Sequence, residues 1–201
     1  MTRKTSGAAE SVRKQVNNDK KYLANDIIIA GNLTYERCPY IYNLDRIASK
    51  DVQFKLYGFG YKEKNIINPY IQYCGNYSAD EIPYKIDGKW GLVWDGESIE
   101  TCSGPTGEYV VYINQHRVSL YLAAGLPVII FSTAGLADFI KNNDLGVCVS
   151  SLEEIKHVLN KISEEEYNIK KRNASLFAKE LMSGSYANSA IKKMEKIMNC
   201  C

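Results

Sequence analysis

The feature that most constrains this chain is a repeated unit, a short apolar run that stops at a turn-forming glycine. Asp26–Ala30 runs into Gly31-Asn32-Leu33, Val52–Tyr57 into Gly58-Phe59-Gly60, and Pro69–Cys74 into Gly75-Asn76-Tyr77. Trp90–Trp94 ends at Asp95-Gly96. Runs that are apolar throughout, rather than alternating, belong to strands buried on both faces of a parallel sheet. Val128–Phe131 and Gly146–Val149 add two more strands. Between the strands, helices are expected over Pro39–Ala48, Ala79–Ile86, the stretch after Asn114, Ala134–Asn142 behind a Thr133 cap, and Leu152–Ile162 behind Ser150 or Ser151. Two more follow, about Glu165–Met182 and Tyr186–Met198, with Leu176, Phe177 and Leu181 expected to pack on the sheet. The fold class is therefore α/β, a parallel sheet of about six strands flanked by helices.

Composition narrows the function classes. A net charge of +2 on 201 residues is too small for a nucleic-acid binder. No apolar run approaches the ~20 residues of a membrane span, so no transmembrane segment is expected. The amino end has no apolar signal core. Residues 1–24 read as a polar, basic, partly disordered lead, 25–184 as the folded domain, and 185–201 as a terminal helix. The six cysteines form no C-x2-C pair, so no zinc site is expected. The thiols read as reduced and the protein as cytoplasmic. Cys74 and Cys148 lie in strand-like runs and read as small buried residues.

In a parallel sheet, ligands bind outside the carboxyl ends of the strands. Glycines 31, 58, 60, 75 and 96 would line that edge. The stretch Asn114–Phe131 brings donors to the same edge. Asn114, Gln115, His116 and Arg117 precede a short helix that Gly125 ends and Pro127 bars from continuing. A helix amino end holds phosphate well, and Arg117 adds a planar, charged fork suited to a diphosphate. An ordinary surface cation is the competing reading of Arg117. Residues 97–113, with Ser103, Gly104, Pro105, Thr106 and Gly107, read as the least regular loop. That loop is open to three readings: a lid, a phosphate contact or a plain surface excursion.

Several blocks together resemble a known family. They are Gly31-Asn32-Leu33, Leu56-Tyr57-Gly58, Tyr73-Cys74-Gly75, Glu81-Ile82-Pro83, Trp90 through Gly96, and Asn114-Gln115-His116-Arg117 through Ile129. From about Asp26 to Gly184 the chain resembles the carboxyl-terminal half of a bacterial GT-B glycosyltransferase. It resembles in particular the glucosyltransferases that extend O-linked N-acetylglucosamine on serine-rich-repeat adhesins, and the same half of bacterial galactofuranosyltransferase-like proteins. The resemblance implies a Rossmann-like sheet and a site for a nucleotide sugar, usually with UDP, facing a separate acceptor half. It implies hexosyl transfer to a glycan or glycoprotein acceptor, with no bound metal and no cofactor besides the UDP-sugar donor.

On that resemblance, Arg117 stands where the family has a phosphate-contacting lysine, in Asn114-Gln115-His116-Arg117 instead of Asn-Pro-His-Lys. The paired glutamates of wider GT-B enzymes fall at Tyr112 and Leu120 and are missing. Arg117 and its helix amino end would clamp the diphosphate. Asn114 and His116 would orient the loop or touch sugar and phosphate. Asn32 would face the cleft, Tyr77 would help seat the base, and the loop from Ser103 through Gly104 to Gly107 would close over the donor. No catalytic base is assigned, since it would come from the acceptor half, which this chain is expected to lack. The partner would then be an acceptor-domain chain or a second copy. The alternative is a non-catalytic module that binds a nucleotide or a protein.

Overall fold

The structure is a computed structural model that describes residues 25–62, 68–113, 115–183, 191–192 and 194–195. The expected amino-terminal lead, and nearly all of the expected terminal helix, lie outside the described residues. Six strands form one parallel sheet: β1 (Asn25–Asn32), β2 (Val52–Phe59), β3 (Ile71–Tyr73), β4 (Trp90–Val93), β5 (Val128–Phe131) and β6 (Gly146–Val149). Their order is β3-β2-β1-β4-β5-β6. The chain thus works outward from β1 to one edge, then returns past β1 to build the other. The switch point lies between β1 and β4.

The central strands carry the apolar runs because both faces are covered. Ile27 and Ile29 of β1 belong to one core with Phe54, Leu56, Trp90 and Leu92. Ile28 and Ala30 face the other core with Val93, Tyr121, Val128 and Ile130. The first core is closed by a 3-10 helix, Pro39–Arg46, through Tyr40, Ile41 and Leu44. The second is closed by helices on the opposite face. These include α3 (His116–Ala123) and α4 (Ala137–Asn142), which follow α1 (Ile82–Lys85) and α2 (Gly104–Tyr109) in the chain. A short α5 (Ile155–Asn160) and a long α6 (Glu164–Met182) complete the chain as described.

Local signals set most boundaries. Ser151 and Ser163 each start a helical segment with a full capping box, reciprocated by Glu154 and Glu166. Helix α3 ends in a Schellman motif. The Gly125 N–H donates to Leu122 O and the Leu126 N–H to Tyr121 O, both at 2.9 Å. Gly125 takes φ +70°, as that motif requires. At Gly58, φ is +148° and an added Cβ would lie 1.8 Å from the Gly31 carbonyl oxygen on the paired strand.

Five expectations need correction. The stretch 97–113 is not all loop, because Pro105 in the first turn of α2 presets its φ for a helix. The segment at 39–46 winds as a 3-10 helix rather than an α-helix. Thr133 caps nothing, since α4 starts only at Ala137. Cys74 and Cys148 are only half-buried because they lie at the edge strands β3 and β6, and the buried thiols among the described residues are Cys38 and Cys102. Leu176 is 53% exposed, while Ala174, Phe177, Ala178 and Leu181 form the packed stripe of α6. Among the described residues, no helix is long and apolar enough to cross a membrane.

Two predictions follow from this packing. Gly58→Ala places a methyl against backbone that cannot turn aside, and should lower unfolding stability by about 1–3 kcal/mol in a urea titration. Burial pushes the Cys102 thiol from 9.0 up to about 12 and the Tyr121 hydroxyl from 10.0 to about 12. Between those values the unfolded chain holds fewer protons than the folded one, so stability falls as pH rises. The melting temperature should drop from pH 9 upward, and Cys102→Ala should flatten the first part of that fall.

Candidate functional site

The β1–β4 seam opens toward its carboxyl end. Register pairing is limited to Ile27 with Trp90 and Ile28 with Gly91. Beyond it, the Ala30 N–H needs an acceptor, and the buried Tyr121 hydroxyl supplies one at 2.9 Å. Tyr121 can come this close because β4 carries Gly91, where a Cβ would meet the ring at 2.1 Å. One turn earlier on the same helix face, Arg117 enters the widening crevice.

Arg117 is engaged on several sides. Its Nη1 donates to Trp94 O at 2.8 Å and to Asp95 Oδ1 at 3.2 Å, and its Nη2 reaches Cys38 Sγ at 3.4 Å. Its side chain is 14% exposed. Burial disfavours its charge, but the acidic neighbours Tyr40, Asp95, Cys38 and Tyr121 outweigh that, and its pKa is raised. Asp95 also pairs with Arg37, Nη2 to Oδ1 at 2.9 Å, and its Oδ2 accepts from Gln115 Nε2 at 3.2 Å. Two guanidinium groups thus share one buried carboxylate just outside the carboxyl ends of the switch-point strands.

These groups line an open cleft of about 570 Å³ with Tyr109, Tyr112, Ile113, Gln115 and His116. His116 is exposed at the first position of α3. Gln115, the N-cap residue, makes no side-chain capping bond, because its amide is turned to Asp95. The amino end of α3 therefore opens into the same cleft, where its unbonded N–H groups and partial positive charge favour anions. A smaller cleft of about 280 Å³, with Lys89, Trp90, Ser163 and Tyr167 in its wall, lies at the amino end of β4, away from the edge where such sheets bind ligands. Among the described residues, no group of three or more His, Cys, Asp or Glu is placed to hold a metal ion.

The residues singled out by sequence fall into three groups. His116 and Arg117 line the cleft together. Asn32, Tyr77, Ser103, Gly104 and Gly107 are not in its wall. Asn32 closes β1 with an Asx turn, its Oδ1 accepting from the Thr34 N–H at 3.0 Å. Tyr77 is exposed beside Tyr57, ring centroids 6.3 Å apart, with Lys85 Nζ 5.9 Å from its centre. Ser103 is exposed ahead of α2, and Gly104 packs so close to Glu97 that a Cβ would meet its carboxylate at 2.2 Å. Gly107 is buried against the Cys102 backbone, where a Cβ would lie only 2.4 Å from the carbonyl carbon. Asn114 lies outside the described residues.

Arg37 and Asp95 are additions, and Gln115, read in the sequence only as a member of the polar cluster, joins them in the wall. Asp95 lies two residues beyond β4 and Arg37 in the turn after β1, so both sit at the ends of the switch-point strands.

The family model described as "Glucosyltransferase 3-like, C-terminal domain" matches residues 27–194. Beta-1,6-galactofuranosyltransferase WbbI of Escherichia coli (strain K12) is 36% identical over 171 residues, covering 84% of this chain and 48% of that protein. Glucosyltransferase 3 of Streptococcus gordonii is 28% identical over 169 residues, covering 84% of this chain and 47% of its own length. The chain thus spans about half the length of these relatives. Among solved structures, Anabaena HepE in complex with UDP-glucose superposes with a TM-score of 0.59 at 12% identity, covering 96% of this chain and 53% of HepE. The HepE complex with UDP gives 0.54 with the same coverage. These structures share the fold of one GT-B half.

The shared carboxylate yields a stability prediction. Asp95→Ala leaves Arg117 beside a carbonyl and a thiol with no counter-charge. The loss should be about 3 kcal/mol, the lower end for a broken buried pair, because Arg37 can turn to water. Denaturant unfolding of the variant measures it.

Proposed function

This chain belongs to the glucosyltransferase 3-like family as its carboxyl-terminal domain, and from that premise we propose that its cleft binds the diphosphate of a UDP-sugar for hexosyl transfer. The observation that carries the reading is the meeting of Arg37, Arg117 and the amino end of α3 around one cleft at the switch point. In hexosyl transfer the bond between the sugar C1 and the diphosphate oxygen breaks, and negative charge builds on the departing diphosphate. Fixed positive groups that already face that position lower the barrier without rearranging. The proposal assigns this neutralisation to guanidinium groups and helix N–H groups rather than to a bound metal.

The remaining contacts are assigned by position. His116 lies at the cleft mouth, where it meets sugar or phosphate, and Asn114 precedes it in the chain. Asn32 ends β1 at the same edge. Tyr77, exposed beyond β3, is assigned to the base. Ser103, Gly104 and Gly107 place α2 over the donor. The acceptor, a glycan or glycoprotein, is assigned to a second half contributed by further polypeptide, a partner chain or a second copy. HepE, solved with UDP-glucose and with UDP, shares this fold, which makes UDP-sugars the ligands to try first. The name of WbbI adds a galactofuranosyl donor to that set.

A thermal-shift titration with UDP, UDP-glucose, UDP-galactose and UDP-N-acetylglucosamine tests the reading. Ligand that binds the folded state alone raises the melting temperature by mass action, and a hundredfold excess over Kd is worth about 2.7 kcal/mol. A dose-dependent rise with UDP and at least one UDP-sugar is expected. No rise at millimolar ligand, from a protein that melts cooperatively, would overturn the reading in favour of a module that binds something else.

A further inference from the structure

We propose that Arg37, rather than Arg117, makes the direct guanidinium contact to the diphosphate, and that Asp95 is the residue that positions it. The inference rests on reading the cleft as a nucleotide-sugar site and says which side chain does the binding.

Both arginines meet Asp95 Oδ1, but they differ in the capacity left over. Arg117 spends Nη1 on Trp94 O and Asp95 and Nη2 on Cys38 Sγ, and its side chain is 14% exposed. Turning it toward a ligand would strip the Trp94 carbonyl of its Arg117 donor and remove one of the three side chains that donate to Asp95. Arg37 makes one ion pair through Nη2, and its side chain is 38% exposed. Its Nη1 is buried and has no hydrogen-bond partner among the described residues. A guanidinium carries five N–H donors in a planar fork, so a phosphate oxygen can engage Nη1 while Nη2 stays on Asp95.

The anchor for that fork is fixed at both ends. Asp95 is held through Oδ2 by Gln115 and through Oδ1 by Arg117. The backbone of Arg37 sits in a tight turn, with the Arg37 and Cys38 N–H groups donating to Thr34 O at 3.1 and 2.9 Å. The Cys38 thiol also donates to Asn32 O at 3.2 Å. The turn is thereby tied to the end of β1, and the side chain it carries, 38% exposed, stands in the cleft wall. Gln115 Oε1 is a second buried polar atom without a hydrogen-bond partner, on a residue of the same cleft wall.

The experiment measures UDP affinity by calorimetry on the full chain and on Arg37→Ala, Arg37→Lys and Arg117→Lys, with a melting curve for each. Arg37→Ala should weaken UDP binding by about tenfold or more, the effect of removing one hydrogen bond to a charged group. It should melt close to the wild type. Arg37→Lys should recover part of the loss, since it restores the charge but not the fork. Arg117→Lys should lower the melting temperature, and at a temperature where it is folded its loss of UDP affinity should be several-fold smaller than that of Arg37→Ala; an equal or larger loss would overturn the inference. Wild-type affinity in Arg37→Ala would overturn the inference and leave the nucleotide-sugar reading standing. Absence of UDP binding in the wild type would overturn both.

Discussion

The architecture depends on how α3 closes the gap that the parallel sheet leaves at its switch point. β1 and β4 pair through only two residues and then diverge. A gap of this kind exposes backbone donors and acceptors that burial would otherwise leave unmet. Two side chains one turn apart on α3 meet them. Tyr121 accepts from the Ala30 N–H, and Arg117 donates to the Trp94 carbonyl. The helix is thus pinned to β1 and to β4 by separate bonds, and its amino end is held beside the crevice. The same arrangement that completes the sheet's hydrogen bonding also concentrates positive charge where the strands end.

That double use explains the company Arg117 keeps. A guanidinium with 14% exposure needs a counter-charge, and Asp95 is the next residue after the carbonyl it already holds. Once buried there, Asp95 has a second oxygen to satisfy, and Gln115 turns away from capping its own helix to do so. The uncapped helix end, the shared carboxylate and the second arginine are consequences of one another.

Much of the sheet was legible because buried parallel strands write themselves as uninterrupted apolar runs, and all six strands lie where those runs lie. One helix start was legible where a serine and a glutamate form a capping box, at Ser151, while the same box at Ser163 went unread and α6 was expected from about Glu165. The start of α2 was not legible, because Pro105 reads equally as a loop breaker and as a first-turn residue. Leu176 shows a different limit, since the face of α6 that packs is chosen by small residues, Ala174 and Ala178, that let the helix approach. In the cleft, His116 and Arg117 could be read from a polar cluster ahead of a helix. Arg37 and Asp95 could not, because they lie 58 positions apart and meet only after the crossover from β1 to β4 is made. The glycines illustrate the converse: Gly104 and Gly107 suggested a supple loop, yet Gly104 is fixed at φ +78° and Gly107 is small because the Cys102 backbone leaves no room.

Strand β4 and the residue after it also place an indole at each end of the sheet. Trp90 packs against Tyr167 at the amino edge, ring centroids 5.3 Å apart. Trp94 lies at the carboxyl edge, its Nε1 bonded to Ser98 O at 2.9 Å and its carbonyl bonded to Arg117. Both are fully buried, and the sequence holds no third. The protein therefore carries two intrinsic fluorophores in dry but dissimilar surroundings, one under the cleft and one remote from it. Emission from Trp94 reports on the cleft floor, with Trp90 as an internal reference in the same molecule.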